Sequence, residues 1–382
     1  MMKEGSAMQM ALHLMEPWLI ENQYTKYNLG ESGIEDMTLG EVLEVTNTSM
    51  DELLQCSFKN NDTYGSPELR KIIASFYDNV NPDQVIVTTG VSEAVFIYYH
   101  LRFEPGANVV VPFPAFQTLY EVPKYLGYEV RLLELEAEES FKINIERLKS
   151  LIDSNTKVLV LNNPHNPTGH TLTDAEMEEI IKLANEYGFE ILADEHYRFI
   201  PYRDEELIPS LYGKSKHVVA MGSMIKCLAC VGLRVGWVVA DKELIDQIRD
   251  FKDYTTHTIC SINDFIAVRL LLHWKKIGLE HKSWVLENVS EFRKLVDEHN
   301  TVLDWVEPEG GIVAFPFLKD KTLSSQHFAE KLITSTEVSV LPGEVFERPG
   351  HFRIGFGLPP DKFRGAMKLM SEFIASKGWE EK

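Results

Sequence analysis

Ser223-Met224-Ile225-Lys226-Cys227-Leu228-Ala229-Cys230-Val231-Gly232-Leu233-Arg234-Val235-Gly236-Trp237 is the stretch whose reading decides the fold. It sets one amine shortly before one guanidinium, between two runs of strand-forming residues. Upstream lie Asn163-Pro164-His165-Asn166-Pro167-Thr168-Gly169 and Asp194-Glu195-His196-Tyr197. A lysine alone is a solvated charge. Here an amine, an acid at a strand end, hydroxyls and a fork-shaped cation follow one another in fixed order.

Working outward, seven β-rich runs punctuate the chain: Val85–Thr89, Asn108–Pro112, Glu129–Leu133, Lys157–Asn162, Glu190–Asp194, His217–Ser223 and Arg234–Ala240. Helical periods such as Ser66–Tyr77 and Asp174–Tyr187 separate them. This alternation predicts an α/β fold with a mostly parallel, doubly wound, seven-stranded sheet. Such sheets place ligands at the carboxyl ends of their strands. Gly90, Asn162–Asn166, Asp194 and Ser223 all fall at such ends. Past about residue 270 the pattern shifts to one long helix over Phe265–Asn300, then Asp304–Phe317, a helix from Ser325, short strands near Val338–Leu341 and His351–Gly355, and a last helix from Pro360. That reads as a smaller α+β C-terminal domain. The expected division is an N-terminal segment at 1–44, with an amphipathic piece from Leu12 to Ile20, a large domain at 45–270 and a small domain at 271–382.

The chain has 382 residues, more than one ordinary core holds. With 38 Lys+Arg against 58 Asp+Glu its formal charge is −20, which opposes binding to nucleic acid or anionic membranes. That balance suits a cationic substrate, and serves solubility equally well. No apolar run reaches membrane-spanning length, and Glu4, His13 and Glu16 break up any signal-like start, so a cytoplasmic protein is expected. Cys227 and Cys230 form a C-x-x-C with no second pair at zinc spacing, so they read as buried thiols rather than a metal site.

The inventory above is what holds pyridoxal 5'-phosphate (PLP): a lysine to carry it as a Schiff base, and a carboxylate for its ring nitrogen. Taken in order, Thr88–Ala94, Pro112–Phe116, Asn163–Gly169, Asp194–Tyr197, Ser223–Gly236 and Arg353 resemble the fold-type I PLP aminotransferases over nearly the whole chain. The resemblance implies Lys226 as the PLP lysine and proton shuttle at the substrate α-carbon, and Asp194 as partner of the ring nitrogen. It implies Tyr197 and Asn166 on the phenolic oxygen and Phe116 stacked on the ring. The phosphate would be held by Gly90, Val91 and Ser92 at a helix start, with Ser223 and Arg234. Arg353 would grip the substrate carboxylate as a fork, beside Asn166. Without the family, Asp194 could be a helix cap, Asn166 a turn residue, Phe116 core, and Arg234 or Arg353 a solvated charge.

Three departures stand out. Ile225 occupies a place where Ser or Thr commonly precedes the lysine, and Val231 one where Pro is common. The tyrosine that reaches a partner subunit's phosphate usually lies nearer Asn60, which leaves Tyr64 to make that contact. The resemblance implies a homodimer with its sites at the subunit interface, and an N-terminal segment that closes over the mouth and packs with the small domain.

Within the family, Asn28-Leu29-Gly30-Glu31-Ser32-Gly33-Ile34, Thr38–Glu41 and Asn61–Arg70 are similar to an arginine-cyclising branch, the capreomycidine synthases and enduracididine-forming cyclases of natural-product biosynthesis. That implies a hydroxylated L-arginine as substrate, γ-hydroxy favoured over β-hydroxy, dehydrated and closed by its own guanidine. Glu16 and Glu31 are the carboxylates expected to meet the guanidinium, and either could equally be a solvated surface charge. The alternatives are a PLP aminotransferase of an amino acid with a 2-oxo acid and, more remotely, a non-catalytic regulator. The last would carry a basic DNA-binding appendage, which this chain lacks.

Overall fold

The computed structural model describes residues 9–380, so the first eight residues of the expected N-terminal segment lie outside the described residues. Strand β1 is Tyr27–Asn28. The central sheet comprises β2 (Val85–Thr88), β3 (Asn108–Phe113), β4 (Glu129–Glu134), β5 (Thr156–Asn162), β6 (Glu190–Asp194), β7 (Val218–Gly222) and β8 (Gly236–Val239). Its order is β2-β8-β7-β6-β5-β3-β4, and β8 runs antiparallel to both neighbours while the other pairs are parallel. Helices cover both faces, so β2, β3, β7 and β8 are buried at every position and read as unbroken apolar runs. Edge strand β4 keeps exposed and half-exposed positions, which is why Arg131 and the glutamates are tolerated there.

Local chemistry sets the boundaries. The helix Asp174–Tyr187 opens on a Thr173/Glu176 capping box and stops at Gly188 in a left-handed conformation. Two expectations need correction. Arg234 is not part of a strand: a turn of 3-10 helix over Val231–Leu233 leaves it left-handed at φ 53°, and β8 starts only at Gly236. The single helix expected over Phe265–Asn300 is two, Ser261–Leu272 and Trp274–Glu298. The His273 ring donates to the Arg269 carbonyl (2.9 Å), and the His273 N–H turns instead to Leu270. The helical ladder is interrupted by a side chain rather than by Pro or Gly.

The C-terminal part carries short strands at Leu303–Asp304 (β9), Val313–Ala314 (β10), Phe317–Leu318 (β11), Val338–Ser339 (β12), Leu341–Pro342 (β13) and Phe352–Gly355 (β14). Strand β1 pairs in parallel with β12. The following residues then run between the two halves of the molecule. Leu29 exchanges bonds with Ser339 and Gly355, Ile34 donates to the carbonyl of Lys226, and Glu35 donates to Gly357. The crossing is tight: a Cβ on Gly355 would lie 2.1 Å from the Glu31 carbonyl, and one on Gly357 would lie 1.9 Å from that of Gly33. Only glycine permits that approach.

Gly355→Ala is therefore expected to cost about 1–3 kcal/mol through overpacking, seen as a lower melting temperature in calorimetry. Gly232→Ala, whose added methyl meets nothing within 4 Å, should stay within about 0.5 kcal/mol of the parent.

Candidate active site

A cavity of about 430 Å³ opens at the carboxyl ends of the parallel strands. Its floor is the turn after β7, where Ser223 donates its hydroxyl proton to the Val235 carbonyl and accepts the Ile225 N–H. These bonds hold the following residues so that Lys226 projects into the cavity. Its amine donates to the Ser32 hydroxyl at 2.6 Å. Burial, then the positive charges of Arg353 and Arg234 against the opposing Glu31 and Glu16, pull its pKa down to about 8. An amine so poised can both attack a carbonyl and carry a proton near neutral pH.

Beside it is an anion cradle. Gly90 ends the turn after β2 at φ 77° and starts the helix Val91–Arg102, whose first N–H groups have no partner within the helix. A Cβ at Gly90 would stand 2.7 Å from Nη2 of Arg234, so a side chain there would displace that guanidinium from the helix start. Ser92, Ser223 and Arg234 line the cavity there.

Asp194, at the end of β6, is buried and lines the cavity, and its Oδ1 accepts a 2.8 Å bond from Nδ1 of His196. That bond fixes one carboxylate oxygen. Phe116 and Val95 flank the cavity. Arg353, fully buried, donates to the Gly30 carbonyl (2.6 Å) and the Asn166 side-chain oxygen (3.1 Å), which leaves the Asn166 NH2 as that amide's donating end. Its Nε has no partner among the described residues. A buried donor left so costs about 1–3 kcal/mol unless an acceptor arrives, and a carboxylate is the acceptor that suits it.

The structure thus gathers Lys226, Asp194, Asn166, Phe116, Ser223, Arg234, Arg353, Val91 and Ser92 on one wall system, with Glu16 and Glu31 exposed at the mouth. Gly90 contributes backbone behind the cradle. Tyr197 is fully buried behind the cavity, and its hydroxyl donates to the Ser32 carbonyl (2.8 Å). Tyr64 lies off the cavity, bonded to Asp246 (2.7 Å) on the helix Lys242–Lys252. Ser32 and His196 were not picked out by sequence reasoning. For His196 the signal was its place two residues after Asp194. For Ser32 there was none beyond its neighbours Gly30 and Glu31. The departures Ile225 and Val231 both line the cavity. Cys227 and Cys230 are buried, and burial pushes both thiols up, so neither is poised as a thiolate.

The family model for aminotransferase class I and II matches residues 25–368. The chain belongs to that family. An aspartate aminotransferase of Sulfurisphaera tokodaii is 30% identical over 369 residues, covering 88% of this chain and 87% of the relative. The capreomycidine synthase of Streptomyces vinaceus is 26% identical over 366 residues, covering 95% and 93%. A PLP-dependent aminotransferase from Streptococcus suis superposes with a TM-score of 0.90 at 28% identity, covering 98% of this chain and all of that one. The PLP-dependent cyclase OrfR also reaches 0.90 over 98% and 99%, at 24% identity, and speaks for the fold alone.

The cofactor is pyridoxal 5'-phosphate, and the residues fit it. The cradle of Gly90, Ser92 and Arg234 suits its phosphate, Lys226 its aldehyde, and Asp194 its ring nitrogen.

Lys226→Ala should abolish the borohydride-fixable adduct with PLP and the near-visible absorption that goes with it, read by spectroscopy and mass spectrometry. In the parent apoprotein, capture of added PLP should quicken with pH and level off above about 8, because the amine is already neutral there. An unperturbed lysine would keep accelerating toward about 10.4.

Proposed function

We propose that the enzyme converts a hydroxylated L-arginine to a cyclic guanidine amino acid by loss of water and closure by the substrate's own guanidine. One observation carries this reading. Glu16 and Glu31 stand on the same cavity as Lys226 and Arg353, close enough that both carboxylates act electrostatically on both cations. Neither glutamate has an ion-pair partner among the described residues. A cavity with a buried guanidinium and, at its mouth, two carboxylates free of ion pairs among the described residues suits an amino acid whose side chain ends in a guanidinium. The likeness to capreomycidine synthase over most of both chains supports the same reading.

Bound PLP supplies an electron sink for the α-carbon. Arg353 holds the substrate carboxylate by its unpartnered Nε, and Asn166 steadies that guanidinium. Lys226 takes the α-proton and, for a γ-hydroxyl, a β-proton as well. Glu16 and Glu31 hold the guanidine over the carbon that loses the hydroxyl, so ring closure is intramolecular and positioning supplies much of the rate. Closure at the γ-carbon gives a five-membered, enduracididine-type ring and closure at the β-carbon a six-membered, capreomycidine-type one; the γ route is the one we favour.

A second reading, amino transfer to a 2-oxo acid, draws support from the similarity to aspartate aminotransferases. In deuterium oxide the γ route should label the product at both α- and β-carbons and the β route at the α-carbon alone, with nitrogen count unchanged by mass spectrometry. A keto acid product, or an unlabelled one, would contradict the cyclase.

We further propose that the working form is a cytoplasmic homodimer in which Tyr64 serves the partner subunit. Tyr64 lies off its own cavity, and Leu54 and Phe58, a few residues before it in the chain, are 70% and 87% exposed and available to a partner. Light scattering should return twice the chain mass, and Tyr64→Phe should weaken retention of PLP. A fully loaded, active monomer would refute this.

A further inference from the structure

Loss of a hydroxyl needs an acid, because hydroxide is a poor leaving group. The acid must reach a carbon lying between the α-carbon, which Lys226 serves, and the guanidine. Glu31 and Ser32 stand on the wall of the cavity that Lys226 enters. The Gly30 carbonyl is held by Arg353 (2.6 Å), and Glu31 faces the mouth. The Ser32 hydroxyl sits 2.6 Å from the Lys226 amine. The side chain of Ser32 lines the cavity although the residue is only 4% exposed. Its position is fixed from behind, since its carbonyl accepts the Tyr197 hydroxyl proton and Ile34, two residues on, is bonded to the Lys226 carbonyl. Ser223 donates to Val235 and Tyr197 to Ser32, while Ser92 belongs to the anion cradle at the helix start.

We propose that Ser32 is a catalytic residue, the proton relay that lets the substrate hydroxyl depart as water. This rests on the cyclase reading above and assigns it a residue. Lys226, having taken a proton from carbon, passes an N–H proton to the Ser32 oxygen as Ser32 gives its own O–H proton to the departing oxygen. The C–O bond breaks with its electron pair going to that oxygen. The pair left on the neighbouring carbon becomes the new C=C bond. Lys226 ends neutral, Ser32 is unchanged, and one water leaves. With its pKa drawn down to about 8, the lysine gives up that proton near neutrality. Tyr197 becomes a positioning residue, acting through the Ser32 carbonyl.

The test uses PLP-loaded parent, Ser32→Ala and Ser32→Thr enzymes with two readouts. One is exchange of the α-hydrogen of L-arginine, which has no leaving group, in deuterium oxide. The other is water loss from β- and γ-hydroxy-L-arginine. In Ser32→Ala the ratio of water loss to exchange should fall by roughly a hundredfold or more, the usual worth of a general acid. Ser32→Thr, which keeps a hydroxyl, should recover most of it. Equal loss of both readouts in Ser32→Ala, an unchanged ratio, or a Thr variant as impaired as Ala would overturn the relay while leaving the cyclase standing. A parent enzyme that releases no water from either hydroxyarginine would overturn the cyclase reading and the relay with it.

Discussion

The site depends on one short length of chain, Tyr27–Met37, being hydrogen-bonded on both flanks. On one side Tyr27, Leu29 and Glu35 are tied to Glu337, Ser339, Gly355 and Gly357 of the C-terminal part. On the other, Ile34 and Met37 donate to the carbonyls of Lys226 and Ala229. The strap can lie this close only because Gly355 and Gly357 carry no side chain beneath it. Four groups of the site hang from this strap or are held by it: Arg353 through the Gly30 carbonyl, Tyr197 through the Ser32 carbonyl, Lys226 through the Ser32 hydroxyl, and Glu31 at the mouth. A shift of the strap would move all four together, so substrate recognition and the position of the catalytic amine are mechanically coupled.

Electrostatics follow from that geometry. Lys226 is buried close to the buried Arg353 and the more exposed Arg234, and burial together with repulsion from both guanidiniums lowers the proton affinity of the lysine. Burial lowers the proton affinity of Arg353 as well, but a guanidinium keeps its proton in proteins, so Arg353 stays charged. The two exposed glutamates at the mouth partly offset this positive interior. A substrate carrying both a carboxylate and a cationic side chain would find a buried cation and exposed carboxylates on the same cavity, and such complementarity gives orientation as well as affinity.

The parts of this site written in local pattern were legible. Gly90, Asn162–Asn166, Asp194 and Ser223 could be placed because a strand followed by a turn residue marks the carboxyl edge of an α/β sheet, and the sheet brings those edges together. Lys226 and Arg353 could be named from the order of motifs. Contacts spanning the chain could not be read. Ser32 and Lys226 are 194 positions apart, and nothing in the identity of a serine announces its partner. The Tyr197 hydroxyl likewise reaches the Ser32 carbonyl, 165 positions away. The break at His273 was invisible because a side-chain bond makes it, and Arg234 read as a strand because its left-handed turn falls on a residue with no preference for one. Propensity describes neighbours along the chain, whereas these features depend on neighbours in space.

The account stands on the claim that one end of this cavity is built for a carboxylate and the other for a guanidinium. A crystal structure of the PLP-loaded enzyme with L-arginine tests it most directly. The account predicts the substrate carboxylate on Arg353 and the guanidinium within about 2.7–3.2 Å of a Glu31 or Glu16 oxygen. An arginine whose guanidinium lies away from both glutamates, or whose carboxylate ignores Arg353, would contradict it.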